Sequence, residues 1–209
     1  PMGCCILSKE FYETGADRDF VRGYNMQIVR GSGPLATAMQ GHATGTIPWG
    51  PGHHEAFRDR FDHVASIANV CEDLPEECNT VTLDPELTDS NGIPAPKITY
   101  RVSENSRKML AHGLARGREA MEAAGAKEIV EVDLLRPAGW HLLGTARMGN
   151  DPETSVVNSW GRSHDVKNLF IVDGSIFVTA GGVNPTSTIQ ALALYIADTM
   201  KKNLANLFD

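Results

Sequence analysis

The sequence predicts an α+β portion that leads into an α/β portion, and three observations predict it. Two segments rich in β-branched residues flank a turn-forming stretch, which predicts an antiparallel hairpin. A long run of helix formers follows the hairpin. Near the end of the chain, a continuous apolar run, a loop and an apolar helix occur in that order, which is typical of α/β folds.

The antiparallel part is predicted from three strand candidates. Within the glycine-rich first sixty residues, the best candidate is "YNMQIV" (24–29). We expect "NTVTLD" (79–84) and "KITYRV" (97–102) to form the hairpin, because the stretch "TDSNGIPAP" (88–96) between them is rich in turn residues.

A helix and a further strand are predicted after the hairpin. Ser103 is a suitable N-cap, the residues that follow it to Ala124 favour a helix, and Gly125 is a natural stop. The segment "EIVEVDLL" (128–135) partly alternates polar and apolar residues, which predicts a strand.

The final segment predicts a strand, a loop and a helix. The apolar run in "NLFIVDGS" (168–175) is typical of a strand buried on both faces. Asn184 is the expected N-cap of the helix, and Pro185 is expected at its first helical position. The body of this helix is almost wholly apolar, so we expect it to be buried in a larger body.

Composition excludes several classes of function. The chain has 209 residues and 42% hydrophobic residues, which suits one large domain or two small ones. Its net charge of -7 argues against a nucleic-acid or anionic-membrane partner, because both require a basic face. No apolar run approaches the roughly 20 residues that span a bilayer. The cellular compartment stays open.

Several stretches that imitate known motifs are excluded. "GSGPLA" (31–36) contains a proline and has no convincing helix after it, unlike a phosphate-binding loop. In "HHEAFRDRF" (53–61), Arg58 stands where a zinc protease needs its second histidine. "GRSHD" (161–165) lacks the closing glycine of a hydrolase nucleophile elbow. Neither a disulfide framework nor a zinc site is expected from the four cysteines, Cys4, Cys5, Cys71 and Cys78.

Two places remain as candidate sites. His141 lies in the glycine-bracketed stretch "GWHLLGTARMG" (139–149), where it is either a general base or a loop histidine that bonds to the backbone. The start of the last helix follows Gly181 and Gly182 and suits an anionic cofactor, because free N–H groups and the helix dipole lie there. The alternative is that Asn184 merely caps its own helix.

Four stretches carry a resemblance to a known family. They are "VTLDPELTDSNGIPAPKITY" (81–100), "HLLGTARMG" (141–149), "NLFIVDGSIF" (168–177) and "GGVNPTSTIQALALYIAD" (181–198). With these stretches, residues 60 to 200 resemble the C-terminal part of the glucose–methanol–choline (GMC) family of flavin oxidoreductases, which includes choline dehydrogenase-like flavoproteins.

The resemblance implies an FAD-dependent dehydrogenase or oxidase that acts on a CH–OH group of an alcohol, polyol or sugar. It implies that hydride passes to flavin N5, that His141 is the base, and that Asn184 orients the substrate. It also implies flavin contacts at Asp173, Gly174, Pro185 and Thr186. The identity of the substrate and of the electron acceptor stays open.

The resemblance also implies a division of the chain. Residues 1–137 are expected to be a substrate-binding portion, an antiparallel sheet with helices. Residues 138–209 are expected to supply the closing strand and helix of an α/β FAD-binding domain. The family's N-terminal Rossmann half, with its GxGxxG motif, is absent from the sequence, so we expect the chain alone to bind FAD poorly. We expect the chain to be a fragment, one subunit of a split enzyme, or a remnant without redox function, and the apolar last helix favours the first two.

The sequence argues against two rival functions. A non-catalytic remnant that binds a sugar or a protein partner is disfavoured, because both His141 and Asn184 are present. A serine hydrolase built on Ser163, His164 and Asp165 is excluded, because adjacent side chains point in different directions and cannot converge on one atom.

Overall fold

The computed structural model describes residues 5–31, 33–135 and 139–203. These residues form an α+β arrangement of antiparallel sheets and helices, as predicted for the first portion. The strands are β1 (Cys5–Ser8), β2 (Tyr24–Arg30), β3 (Ala65–Cys71), β4 (Thr80–Thr88) and β5 (Pro94–Thr99). The α-helices are α1 (Pro34–Ala43), α2 (His53–Arg60), α3 (Glu104–Ala123) and α4 (Thr186–Lys202).

A three-stranded antiparallel sheet carries the first core. Its order is β1-β2-β3, so β2 is the central strand, and β2 includes the predicted segment 24–29. Tyr24 and Met26 of β2 are buried together with Met109 of α3. Helix α3 packs closely on β3 because Gly113 has no side chain: a Cβ there would lie 2.9 Å from the amide nitrogen of Asn69.

The other face of β2 presents two carboxamides. Side chains alternate along a strand, so Asn25 and Gln27 point away from the face that Tyr24 and Met26 bury against α3. Asn25 is fully buried, and its side-chain amide donates to the carbonyl oxygen of Gly182. The loop before α4 therefore lies on this face of the sheet.

The predicted hairpin is confirmed as β4 and β5, with shifted boundaries. Strand β4 continues to Thr88, and β5 begins at Pro94 and ends at Thr99, earlier than the predicted segment 97–102. In the turn, a carboxylate oxygen of Asp89 accepts hydrogen bonds from the N–H groups of Asn91 and Ile93.

Helix α3 is also confirmed. The hydroxyl of Ser103 accepts a hydrogen bond of 3.1 Å from the N–H of Ser106, as an N-cap does. The helix ends at Ala123, and Gly125 adopts a φ of +80°, a conformation that suits glycine after a helix.

Two predicted strands are wrong. Residues 128–135 are irregular, and Val130 and Val132 are exposed. In 168–175, Phe170 forms only an isolated bridge to Arg162, and a short 3₁₀ helix (Gly174–Ile176) follows. A strand needs a neighbouring strand to bond with, and the described residues provide none beside either segment.

Helix α4 is confirmed, but its start and its burial differ from the prediction. Pro185 is the N-cap, one residue after the expected Asn184, and no side chain of a described residue caps the helix. Only Ile196 of α4 is buried among the described residues, whereas Leu194 is 72% exposed. Ile196 packs with Val157 and Ile176 in a second core.

Four of the strands and α-helices in the described residues were not predicted: β1, α1, α2 and β3. Helix α1 begins inside the stretch 31–36, so the expectation that no helix follows this stretch is wrong. The expected division of the chain between residues 137 and 138 lies outside the described residues. No helix in the described ranges combines the length and apolar character that a membrane span requires.

Candidate active site

The candidate motifs lie together around Gly174. The N–H of Gly144 donates to the carbonyl oxygen of Gly174 over 3.3 Å. A Cβ added at Gly174 would lie 2.7 Å from a methyl carbon of Leu143 and 3.1 Å from one of Ile189. Gly174 has no side chain, so three segments can contact each other here. They are the segment after His141, the turn at Asp173 and Gly174 (the Asp-Gly turn), and the first turn of α4.

Two further backbone hydrogen bonds hold the segment 141–149 beside this turn. The N–H of Ala146 donates to the carbonyl oxygen of Ser175 at 2.8 Å, and the N–H of Met148 donates to that of Ile176 at 2.9 Å. Ile176 is fully buried in the second core. The backbone that follows His141 is thus bonded to the turn at the second core, through residues that lie three to seven positions after His141.

His141 is half-buried between two exposed side chains, Trp140 and Leu142. Its imidazole forms no hydrogen bond with another residue of the described ranges. The alternative interpretation is that His141 is a loop histidine bonded to the backbone. Within the described ranges, no backbone group bonds to its imidazole. An imidazole without such a partner keeps its ring nitrogens available for a hydrogen bond to a ligand.

Asn184 is exposed just before α4, and its side chain bonds to the sheet instead of capping the helix. Its Oδ1 accepts a hydrogen bond of 2.8 Å from Nε2 of Gln27 in β2. Within residues 139–203 no hydrogen bond joins the side chains of His141 and Asn184. The structure brings their backbone segments to a common centre at Gly174, without direct bonding between the two side chains.

Asp173 has a structural partner. One of its carboxylate oxygens accepts from the hydroxyl of Ser175 at 2.5 Å and from the N–H of Ser175 at 2.8 Å. The hydroxyl bond, and then the backbone bond, hold the pKa of the Asp173 carboxyl below its usual range, so the group is ionised at neutral pH. Asp173 is the N-cap of the 3₁₀ helix, and its second oxygen bonds to no other described residue.

The start of α4 offers backbone donors. Its first turn closes with a 3.0 Å bond from the N–H of Ile189 to the carbonyl oxygen of Pro185, so the preceding N–H groups, from Thr186 onward, lie before the first helical bond. A Cβ at Gly181 would meet no atom within 4 Å, so the backbone before the helix is open. N–H donors at the positive end of a helix dipole suit a negatively charged group.

Comparison with known proteins identifies the family of the chain. A family model described as GMC oxidoreductase matches residues 75–193. The chain belongs to the GMC oxidoreductase family. As predicted, it corresponds to the C-terminal part of such a protein.

Curated relatives of this GMC chain include three enzymes. The 2-methyl-1,2-propanediol dehydrogenase of Mycolicibacterium austroafricanum is 44% identical over 208 residues, which are 99% of this chain and 38% of the relative. The fructose dehydrogenase large subunit of Gluconobacter japonicus is 37% identical over 150 residues, 72% of this chain and 27% of the relative. The 6'''-hydroxyparomomycin C oxidase of Streptomyces lividus is 38% identical over 157 residues, 73% of this chain and 28% of the relative. The chain thus spans well under half the length of these relatives.

The GMC chain has no serine hydrolase site at 161–165. The hydroxyl oxygen of Ser163 accepts from the N–H groups of Asp165 and Val166, which is a local turn. Nε2 of His164 lies 3.0 Å from the hydroxyl of a different serine, Ser155, which donates its own proton to the backbone carbonyl of Asp151.

The described ranges contain no group of three or more His, Cys, Asp or Glu residues that is arranged to hold a metal ion.

Sequence reasoning missed one polar residue at this GMC site, Gln27. It is 157 residues from Asn184 along the chain, so no local pattern links the two. The only sequence signal was the strand prediction for 24–29, which placed Asn25 and Gln27 on one face of β2.

Proposed function

We propose that this chain supplies the catalytic C-terminal part of an FAD-dependent enzyme that oxidises the CH–OH group of a small alcohol. The observation that carries the proposal is the packing around Gly174, which brings the segments of His141, Asp173 and Asn184 together. The names of the three relatives, two dehydrogenases and an oxidase, support the same reaction class.

His141 is the proposed base. Oxidation of an alcohol breaks the O–H and C–H bonds of one carbon centre and forms a carbonyl group. The imidazole of His141 accepts the hydroxyl proton. It is free to do so because it has no hydrogen-bond partner in the described ranges. When bound, FAD would supply the acceptor, at its N5, for the hydride that leaves the carbon.

Asn184 is the proposed substrate-orienting residue. A carboxamide donates and accepts hydrogen bonds but does not take a proton at neutral pH, so the proton passes to His141. Asn184 is exposed at the end of its loop, where a substrate oxygen can reach it.

The proposed flavin contacts are Asp173, Gly174, Pro185 and Thr186. The free oxygen of Asp173 suits hydroxyl groups of the ribityl chain, and the missing side chain of Gly174 lets Leu143 and Ile189 pack beside the turn that carries Asp173. The N–H groups from Thr186 onward and the dipole of α4 stabilise negative charge on the flavin ring.

The proposed domain roles follow from the exposed surface of α4. Tyr195 stacks on Trp160 with ring centroids 6.1 Å apart, and both rings are exposed, as is Leu194. We propose that the N-terminal FAD-binding half covers this face and supplies the strand partner that residues 168–173 lack. Residues 1–137 are the proposed substrate-binding portion.

The sheet face beside Asn184 favours an aliphatic substrate. In the strand register, Gln27 lies opposite Leu7 of β1 and Ala68 of β3, and both of these apolar side chains are exposed. We therefore propose a small aliphatic diol of the kind named for the relative from Mycolicibacterium austroafricanum. In 2-methyl-1,2-propanediol only C1 can lose hydride, because C2 carries no hydrogen.

The test is anaerobic mixing of the full-length protein, loaded with FAD, with 2-methyl-1,2-propanediol. We expect the oxidised flavin absorbance to bleach and one aldehyde to form for each flavin reduced. Fructose is the comparison substrate, and we expect it to react more slowly. A flavin-loaded protein that neither the diol, nor fructose, nor a series of primary alcohols reduces contradicts the proposal and favours a non-catalytic binding protein.

A further inference from the structure

Strand β2 contacts the loop before α4 through two carboxamides on one face. The amide nitrogen of Asn25 donates to the carbonyl oxygen of Gly182, and that of Gln27 donates to Oδ1 of Asn184 at 2.8 Å. The two side chains are two residues apart in the strand, so they point in the same direction. One bond holds the backbone of the loop, and the other holds the side chain of the proposed substrate-orienting residue.

Both partners of the Gln27 bond are rigidly placed. Strand β2 is paired on both sides, by β1 and by β3. In the loop, a Cβ at Gly182 would lie 3.3 Å from the carbonyl oxygen of Gly23 and 3.3 Å from the ring of Tyr12, so the loop backbone is pressed against this part of the molecule. The Gln27–Asn184 bond therefore joins two fixed backbones and is not a chance contact of mobile side chains.

We propose that Gln27 is a positioning residue that sets which end of the Asn184 carboxamide faces the substrate. The inference rests on the proposed function. A free asparagine side chain can either accept from the substrate hydroxyl through Oδ1 or donate to the substrate oxygen through Nδ2. In the structure Gln27 donates to Oδ1, so the second arrangement is the one present and Nδ2 is left for the substrate.

This selection has a chemical consequence. The substrate oxygen gains negative charge as His141 removes its proton, and an N–H donor stabilises that charge, whereas a carbonyl oxygen opposes it. The carbonyl oxygen of the product also only accepts hydrogen bonds. Gln27 thus favours the transition state and the product through Asn184, without itself touching the substrate.

The decisive variant is Gln27→Glu in the flavin-loaded full-length protein. An ionised glutamate only accepts hydrogen bonds, so it bonds to Nδ2 of Asn184 and turns the carboxamide around. We expect flavin reduction by 2-methyl-1,2-propanediol to slow by about 10²-fold at neutral pH, the effect of losing one oxyanion donor. The rate relative to the parent protein rises as pH falls toward the glutamic acid range, because protonated glutamate donates as glutamine does.

Gln27→Leu is the matched control. It also slows reduction, but its rate relative to the parent protein does not change with pH, since leucine does not titrate. In an Asn184→Ala background, we expect both Gln27 substitutions to change the rate less than about twofold, because coupled residues lose their effect when the partner is removed. A merely structural role for Gln27 predicts the same loss in both backgrounds.

A binding measurement gives a readout independent of turnover. The ketone 3-hydroxy-3-methyl-2-butanone resembles the aldehyde product and has no carbinol hydrogen to lose. We expect its affinity for the oxidised protein, followed by flavin difference spectra, to fall about tenfold in Gln27→Glu, since one hydrogen bond to the carbonyl is lost.

The outcomes are distinguishable. Reduction of Gln27→Glu at the parental rate, a rate ratio that does not vary with pH, or an undiminished effect in the Asn184→Ala background each overturns the role of Gln27 and leaves the proposed function intact. A parent protein that no alcohol reduces overturns both.

Discussion

Asp173 uses one carboxylate oxygen for the fold and keeps the other free for the proposed ligand. The oxygen that bonds to Ser175 organises the 3₁₀ helix, whereas the second oxygen faces no described partner. The same division holds for Asn184, whose Oδ1 bonds to Gln27 while its Nδ2 is left for the proposed substrate. At both residues, an internal hydrogen bond fixes the orientation that the proposed chemistry needs.

The Asp173–Ser175 interaction predicts a pH-dependent stability. The pKa of Asp173 is lowered in the folded protein, so its contribution is complete above the unfolded value of about 3.9 and is lost as pH falls through the folded value. Unfolding by urea, measured from about pH 8 to about pH 3, should show a stability gap between the parent protein and Asp173→Ala that closes at acidic pH.

Ser175→Ala provides the matching control, because it removes the hydroxyl donor, which is the main cause of the lowered pKa of Asp173. The difference in stability between the parent protein and Ser175→Ala should narrow over the same pH range. A gap for Asp173→Ala that is constant down to the acidic limit contradicts an ionised, hydrogen-bonded carboxylate at this position.

At the scale of elements, Gly174 is where three segments approach each other. An alanine methyl at this position requires Leu143 and Ile189 to move. We expect Gly174→Ala to lower the free energy of unfolding by about 1–3 kcal/mol, as overpacking does. Gly181→Ala is the control, since its methyl enters open space, and its effect should stay within about 0.5 kcal/mol. Urea unfolding of both variants checks the prediction, and equal stabilities contradict the packing described around Gly174.

Elements with strong local signals could be predicted from the sequence. The cap at Ser103 and the stop at Gly125 define α3, and the turn residues in 88–96 define the hairpin. The apolar patterns of 128–135 and 168–175 were misleading, because a strand depends on a partner that local pattern does not reveal. Strand β3 was missed for the converse reason: its pairing with β2 joins segments distant in sequence.

The candidate site was predictable only in part. The glycine-bracketed His141 and the start of α4 stand out by residue type and spacing, and the structure brings their segments together. The roles given to His141, Asn184, Asp173, Gly174, Pro185 and Thr186 stay predictions. Gln27 was not predictable, because its bond to Asn184 joins a strand and a loop that come together only in the folded chain.

At the scale of the whole molecule, the site lies between two cores. His141 and the Asp-Gly turn are attached to the core of Val157, Ile176 and Ile196. Gln27 belongs to the strand that forms the other core with α3. The contacts of β2 with the loop before α4 join the two parts. The proposed substrate contacts, His141 and Asn184, both belong to the part with the second core, and Gln27 of the other part holds Asn184.

The most direct test is the rate of flavin reduction by 2-methyl-1,2-propanediol in the flavin-loaded full-length protein and its His141→Ala variant, measured by stopped flow without oxygen. The account predicts that the variant is slower by about 10²–10⁴-fold, the usual contribution of a positioned general base. The control variant His54→Ala, which removes an exposed imidazole of α2, should keep the parental rate. Equal rates for His141→Ala and the parent protein would contradict the account.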